Sequence, residues 1–201
     1  MKRIFTAIDI SVEAKRKVSS YIETLRREFP KLRVGWAKTE KLHLTLKFLG
    51  DTEESKTAEL SQAIEKIARE NPSFKLRILE TGIFPSMSKP RILWLALKDE
   101  RGSLAKINEQ LESACEKLGF APEKRNFKPH LTIARLREPN KSKDLVEKHL
   151  NNMFETIEFE ASEIIIYESK LQSSGSIYSV VSKHKFNNRT FSKVENSVAK
   201  L

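Results

Sequence analysis

An α+β fold of two similar lobes, each an antiparallel sheet with helices on its outer face around a central cleft, is what this sequence predicts, on three observations. Apolar residues recur at period two in some segments and at helical spacing in others. The word His43-Leu44-Thr45-Leu46 returns almost unchanged as His130-Leu131-Thr132-Ile133. The 201 residues, 39% of them apolar, suffice for one unit with a sizeable core or two small lobes folded as one.

The elements follow in order. Residues 3–10 read as a strand fed by Ile4, Ala7, Ile8 and Ile10. Ser11 then caps a helix over 12–29, with Val18, Tyr21, Ile22 and Leu25 on one face, and Pro30 stops it. A short strand over 32–37 and a turn over 38–41 lead into the first histidine strand, 42–49, closed by Gly50. Asp51 or Thr52 caps a second helix over 53–69, ended by Asn71-Pro72. Residues 74–80 alternate as a half-buried strand, 82–90 form a loop rich in Gly, Pro and Ser, and 91–98 form another strand. A third helix over 102–118 turns Leu104, Ile107, Leu111 and Ala114 inward, and 119–129 delivers the second histidine strand, apolar over 131–136. A short helix over 142–153 precedes strands over 154–159, 164–171 and 177–186, the last two joined as a hairpin at 172–175. Residues 1–186 are thus expected to form one bilobal domain, and 187–201 a polar tail.

Side chains alternate faces along a strand, so His43 and Thr45 share one face while Leu44 and Leu46 anchor the other. The same alternation separates His130 and Thr132 from Leu131 and Ile133. Only four histidines occur in the chain, and two of them open the same word. A core needs neither imidazole nor hydroxyl, and burying both without partners costs free energy. Two imidazoles facing one cleft suit acid–base chemistry near neutral pH: a neutral ring takes a proton from a nucleophile while an imidazolium gives one to a leaving oxygen. Cleavage of a phosphodiester fits that division, with Thr45 and Thr132 donating to non-bridging phosphate oxygens, where charge accumulates.

Lys47, two and four residues beyond Thr45 and His43, is expected on their face and is a candidate phosphate contact. Arg91, Arg125 and Arg135 are further candidate anion contacts, and Phe48, Phe127 and Tyr167 candidates for stacking on a base. His149 and His184, among charged and polar neighbours, read as surface residues. A metal site generally wants a third protein ligand, and no acidic or cysteine partner stands at a telling spacing, so neither metal nor cofactor is expected.

With 37 basic against 27 acidic residues the formal charge is +10, which suits a polyanionic partner such as nucleic acid. The one cysteine, Cys115, forms no intrachain disulfide, and no apolar run approaches a membrane span; a cytoplasmic monomer that meets no membrane is the expectation.

The two words together resemble the twin HxTx signature of the two-histidine (2H) phosphoesterases. Within that superfamily the chain is similar to the bacterial and archaeal RNA 2′,3′-cyclic phosphodiesterases, also called 2′-5′ RNA ligases. Phe5-Thr6-Ala7-Ile8-Asp9, the run from Leu42 to Gly50, Arg91-Ile92-Leu93-Trp94, Phe127-Lys128-Pro129-His130 and Ile166-Tyr167-Glu168-Ser169 carry the similarity as well. The resemblance implies a bilobal fold with both signatures lining a central cleft and no metal requirement. It implies hydrolysis of an RNA 2′,3′-cyclic phosphate end to a 2′-phosphomonoester, with His43 as proton donor to the leaving 3′-oxygen and His130 as proton acceptor from water. It also implies 2′-5′ joining when a 5′-hydroxyl replaces water. The residues alone fix neither which histidine is the acid nor the linkage. Two other readings stay open on sequence: a non-catalytic module binding RNA ends or nucleotides, and a phosphodiesterase acting on 2′-5′ oligoadenylate or a small cyclic nucleotide.

Overall fold

The computed structural model describes residues 1–172 and 175–187. Two antiparallel sheets carry the molecule. The first has the order β3 (His43–Thr52), β1 (Lys2–Asp9), β8 (Glu163–Gln172), β9 (Gly175–Lys185). The second has the order β2 (Val34–Trp36), β6 (His130–Leu136), β5 (Ile92–Lys98), β4 (Phe74–Phe84), β7 (Ile157–Ala161). Four helices back them. α2 (Glu54–Glu70) and α3 (Ser103–Lys117) pack against the first sheet, and α1 (Val12–Glu28) and α4 (Lys143–Asn151) against the second.

Local chemistry sets the element ends. The Ser11 hydroxyl accepts a hydrogen bond from the Ala14 N–H at 3.1 Å, so α1 starts where a capping serine predicts. Ala14, Val18, Ile22 and Leu25 line its buried face. The Asp99 carboxylate accepts from the Ser103 N–H at 2.6 Å and opens α3. The strand read over 74–80 runs on to Phe84, through Gly82, which had looked like loop chemistry. Gly82 lies beneath an indole: a Cβ there would stand 2.2 Å from two ring carbons of Trp94, so only glycine leaves room for the ring. The expected strand over 154–159 forms later, as β7. The turn residues 173 and 174 and the polar tail from 188 onward lie outside the described residues.

The core is continuous from one sheet to the other. Leu44, Leu46, Leu131 and Ile133 are all buried in it. At about 1.5–3 kcal/mol for each fully buried aliphatic side chain, they fix the roll of β3 and β6, and a one-residue slip would turn the histidines into the core.

Two histidines expected at the surface are internal. His149 is fully buried: its Nε2 lies 3.1 Å from the Gly82 carbonyl and 3.2 Å from the Trp94 carbonyl, and its Nδ1 2.9 Å from the Tyr21 hydroxyl. Carbonyls only accept, so Nε2 carries the proton and Tyr21 donates to Nδ1. His149 shares a helix face with Leu145 and Val146, and that stripe, not its charged neighbours in sequence, decides its place. His184 is buried between β9 and α2 and meets Ser61 and Ser182 at 3.2 and 2.9 Å.

Candidate active site

The two histidine strands, β3 at the edge of the first sheet and β6 between β2 and β5 in the second, come within 8 Å of each other, Cα to Cα. His43 lies opposite Asp9 of β1, and His130 opposite Ala96 of β5. Each strand then carries the same irregularity at the same place. Between Thr45 and Lys47 the pairing with β1 slips by one residue, and between Thr132 and Ala134 the pairing with β5 slips by one. The extra residues are Leu46 and Ile133, each three beyond its histidine. The burial pattern over the first six residues of the two strands is identical.

A bulge of this kind reverses which face later residues occupy. It corrects the expectation for Lys47, which turns away from His43 and Thr45. The residue is 5% exposed, and its ammonium is bonded to Glu112 of α3 at 2.5 Å and to the Ala121 carbonyl at 3.1 Å. A buried, neutralised lysine behind the sheet is no phosphate contact. The reversal brings out the next residue instead. Phe48 is 70% exposed and its ring lies 5.8 Å from Phe5, whose ring is 5.0 Å from His43. In β6 the equivalent residue is Arg135, exposed and close enough for its charge to depress the His130 pKa.

Each imidazole is gripped by the carbonyl two residues before it. His130 Nδ1 donates to the Lys128 carbonyl at 2.7 Å, and the Lys41 carbonyl hydrogen-bonds the His43 ring. For His130 this fixes the proton on Nδ1 and leaves Nε2 to exchange protons with a ligand. The Thr45 hydroxyl stands 3.1 Å from His43 Nε2. Thr132 lies opposite Trp94 and shares its face with His130. The rings are close enough that charge on His130 bears on His43.

Their surroundings differ. Beside His43 stand Phe5, Tyr167 and Tyr178, at centroid distances of 5.0, 6.1 and 5.4 Å, with the Tyr167 hydroxyl donating to Asp9 at 2.9 Å and Lys15 bonded to the same carboxylate at 3.2 Å. Beside His130 stand Phe84 and Trp94, at 4.9 and 6.2 Å, with the Lys128 ammonium 5.0 Å over the Trp94 ring. Burial pushes the His43 pKa down to about 4, against smaller upward pulls from the Lys41 carbonyl and Asp9. Burial also lowers His130, with Arg135 and Lys128 pushing the same way. Unliganded, both rings are neutral at pH 7.

Of the remaining candidates, Arg125, Arg91 and Phe127 fall outside this group. Arg125 is exposed and held by Glu123 through two bonds of 3.1 Å. Arg91 stands at the exposed end of β5, where its carbonyl accepts from the Leu136 N–H at 2.9 Å. Phe127 packs against the core, whereas Tyr167 does line the His43 side. Tyr178 and Phe84 are not singled out from sequence, and Asp9, Trp94 and Lys128 enter there only within segments that carry the family resemblance, because each reaches the site through strand pairing or a turn. Among the described residues no three His, Cys, Asp or Glu side chains gather as a metal would need.

Comparison with known proteins agrees with this geometry. The family model described as the 2′-5′ RNA ligase superfamily matches residues 14–172, a span holding both histidine words. A Thermotoga maritima protein named RNA 2′,3′-cyclic phosphodiesterase is 34% identical over 92% of this chain and 95% of its own length. An Aquifex aeolicus protein of the same name is 30% identical over 83% of this chain and 89% of its own. Among solved structures, a Thermus thermophilus protein superposes with a TM-score of 0.77 at 23% identity, covering 94% of this chain and all of that one. E. coli LigT complexed with 3′-AMP gives 0.74 at 24% identity, covering 92% and 98%. At those identities the two structures speak for the fold.

Proposed function

The chain belongs to the 2′-5′ RNA ligase superfamily, and on that premise we propose that it is a metal-independent RNA 2′,3′-cyclic 3′-phosphodiesterase. The observation that carries this reading is the pair of identically bulged His-x-Thr strands, each presenting a carbonyl-gripped imidazole to the same gap. Water attacks the phosphorus of the cyclic phosphate, and His130 Nε2 takes its proton. The P–O3′ bond breaks, and His43 gives a proton to the departing 3′-oxygen, leaving a 2′-phosphomonoester. The pair ends with its proton exchanged between rings and resets through solvent. Thr45 and Thr132 hold the non-bridging oxygens, and Arg135 offsets their charge. A 5′-hydroxyl in place of water yields a 2′-5′ linkage by the same attack.

The nearest charges differ in sign: Asp9 raises the His43 pKa against burial and Lys15, whereas Arg135 and Lys128 add to the lowering of His130 by burial. The donor and acceptor roles themselves come from the family likeness, and bound phosphate would supply the anion that charges His43. The Phe48 face receives the terminal base. Among the described residues no helix is long and apolar enough to cross a membrane, and the +10 charge suits an RNA partner met in the cytoplasm by a monomer.

The test is to incubate a short RNA ending in a 2′,3′-cyclic phosphate with the protein in EDTA and to assign the product by phosphorus NMR. A 2′-monophosphate is expected. A 3′-monophosphate would reverse the leaving oxygen, turnover only on adding a divalent ion would restore a metal, and no product at all would leave a binding module.

A further inference from the structure

Arg135 is the first of a row of guanidinium groups. It lies opposite Gly35 across the pairing of β6 with β2, and a Cβ on that glycine would stand 3.8 Å from both the Arg135 Cβ and the Arg137 Nε. Arg137 therefore leans over the glycine on the face that Arg135 occupies. The Arg137 N–H donates to the Arg33 carbonyl at 3.1 Å, which brings Arg33 to the same end of the sheet. All three are exposed. Among the described residues none of the three takes part in an ion pair, whereas Arg26, Arg69, Arg77 and Arg125 are each held by a glutamate. The nearby Glu138 is bonded to Lys141 at 2.8 Å and feels the Arg33 charge without pairing with it.

Neighbouring strands lie about 4.8 Å apart, so three cations on one pair of strands repel one another unless anions stand between them. Gly35 leaves bare backbone in their midst, where a polymer can approach closely. We propose that Arg135, Arg137 and Arg33 form a track for the backbone phosphates of single-stranded RNA, leading the nucleotides on the 5′ side of the cyclic-phosphate end away from His130 across β6 and β2. This rests on the function proposed above and extends it: the substrate is an oligonucleotide, not a mononucleotide. Phosphates carry no base identity, so the track is indifferent to sequence.

The experiment uses fluorescence anisotropy of 5′-labelled RNAs of one to six nucleotides ending in a 2′-phosphate, across a salt series, with turnover of a six-nucleotide RNA ending in a 2′,3′-cyclic phosphate measured in parallel. Affinity is expected to rise with the first few added nucleotides and then level off. The double variant Arg33→Gln/Arg137→Gln should flatten that rise and reduce the slope of log affinity against log salt by about 1.4, about 0.7 for each lost phosphate contact. Arg16→Gln/Arg27→Gln on α1 removes the same charge elsewhere and should keep the rise. An unaltered length dependence in the first variant, or an equal loss in the second, overturns the track. Turnover separates the two readings: no hydrolysis with an intact, track-dependent rise sinks the enzyme and spares the track, and hydrolysis without the rise does the reverse.

Discussion

β3 and β6 share one backbone device and put it to different ends. In both, a bulge three residues beyond the histidine sends the fourth residue behind the sheet and the fifth out toward the ligand. In β3 these are Lys47, buried against Glu112, and Phe48, exposed among aromatic rings. In β6 they are Ala134, buried, and Arg135, exposed at the head of an arginine row. The same scaffold thus gives one lobe an aromatic floor beside a carboxylate and the other a cationic floor. The difference teaches that backbone symmetry positions the two imidazoles, while the side chains around them make the two floors unlike; on the function proposed, that difference sets which proton each ring handles and which end of a nucleotide each side receives.

The severest test removes what the lobes have in common. His43→Ala and His130→Ala should each lower kcat on a cyclic-phosphate RNA by about a hundredfold to ten-thousandfold, with the double variant little worse than either single one. Circular dichroism should show both variants folded. A single variant with near-normal turnover would break the paired mechanism.

Smaller effects should separate the lobes. Arg135→Gln removes a charge that faces the phosphate, and a loss of about tenfold to a hundredfold in kcat/KM is expected, at about 1.5–3 kcal/mol for a hydrogen bond to a charged group. Phe48→Ala removes a stacking surface, with an expected loss of about tenfold, carried mainly by KM and larger for purine than for pyrimidine ends. Steady-state kinetics on adenosine- and uridine-ended substrates would distinguish them. Equal effects on KM from both would erase the asymmetry between the two floors.

How much of this could be read from the sequence follows from where each feature is encoded. The twin words carry their own alternation, and Ser11 and the α1 stripe are local, so strands, helix and histidine pair were legible. The bulges were not, because nothing in Leu46 or Ile133 marks them; they arise from pairing with β1 and β5. Lys47 was misplaced for that reason. β2 joins the second sheet although it sits in sequence between two strands of the first, a crossover no local pattern specifies. His149 was misread by weighing its charged neighbours, when the Leu145, Val146 and His149 stripe held the better signal. Gly82 looked like a turn residue because its real cause, the Trp94 indole, is on another strand.

The gentlest effects concern pH and carry the comparison furthest. Burial holds both unliganded imidazoles below the ordinary histidine range, His43 at about 4, so a singly protonated pair becomes populated only on the acid side of neutrality. The profile of kcat/KM, which reports the free protein, should therefore rise as pH falls from 8, peak on the acid side of neutrality and decline toward pH 4. Bound phosphate favours the imidazolium, so the kcat profile should lie at higher pH than that of kcat/KM. The two lobes should then respond with opposite signs. Asp9→Asn removes a negative charge from His43, stabilises its imidazolium less and moves the limb that His43 sets lower. Lys128→Gln removes a positive charge from His130 and moves the limb that His130 sets higher. Each displacement should be under one pH unit, a few-fold change in rate at a fixed pH on the limb, since neighbouring solvent screens both charges. Displacements of the same sign would mean that the surrounding charges do not divide the two histidines into donor and acceptor.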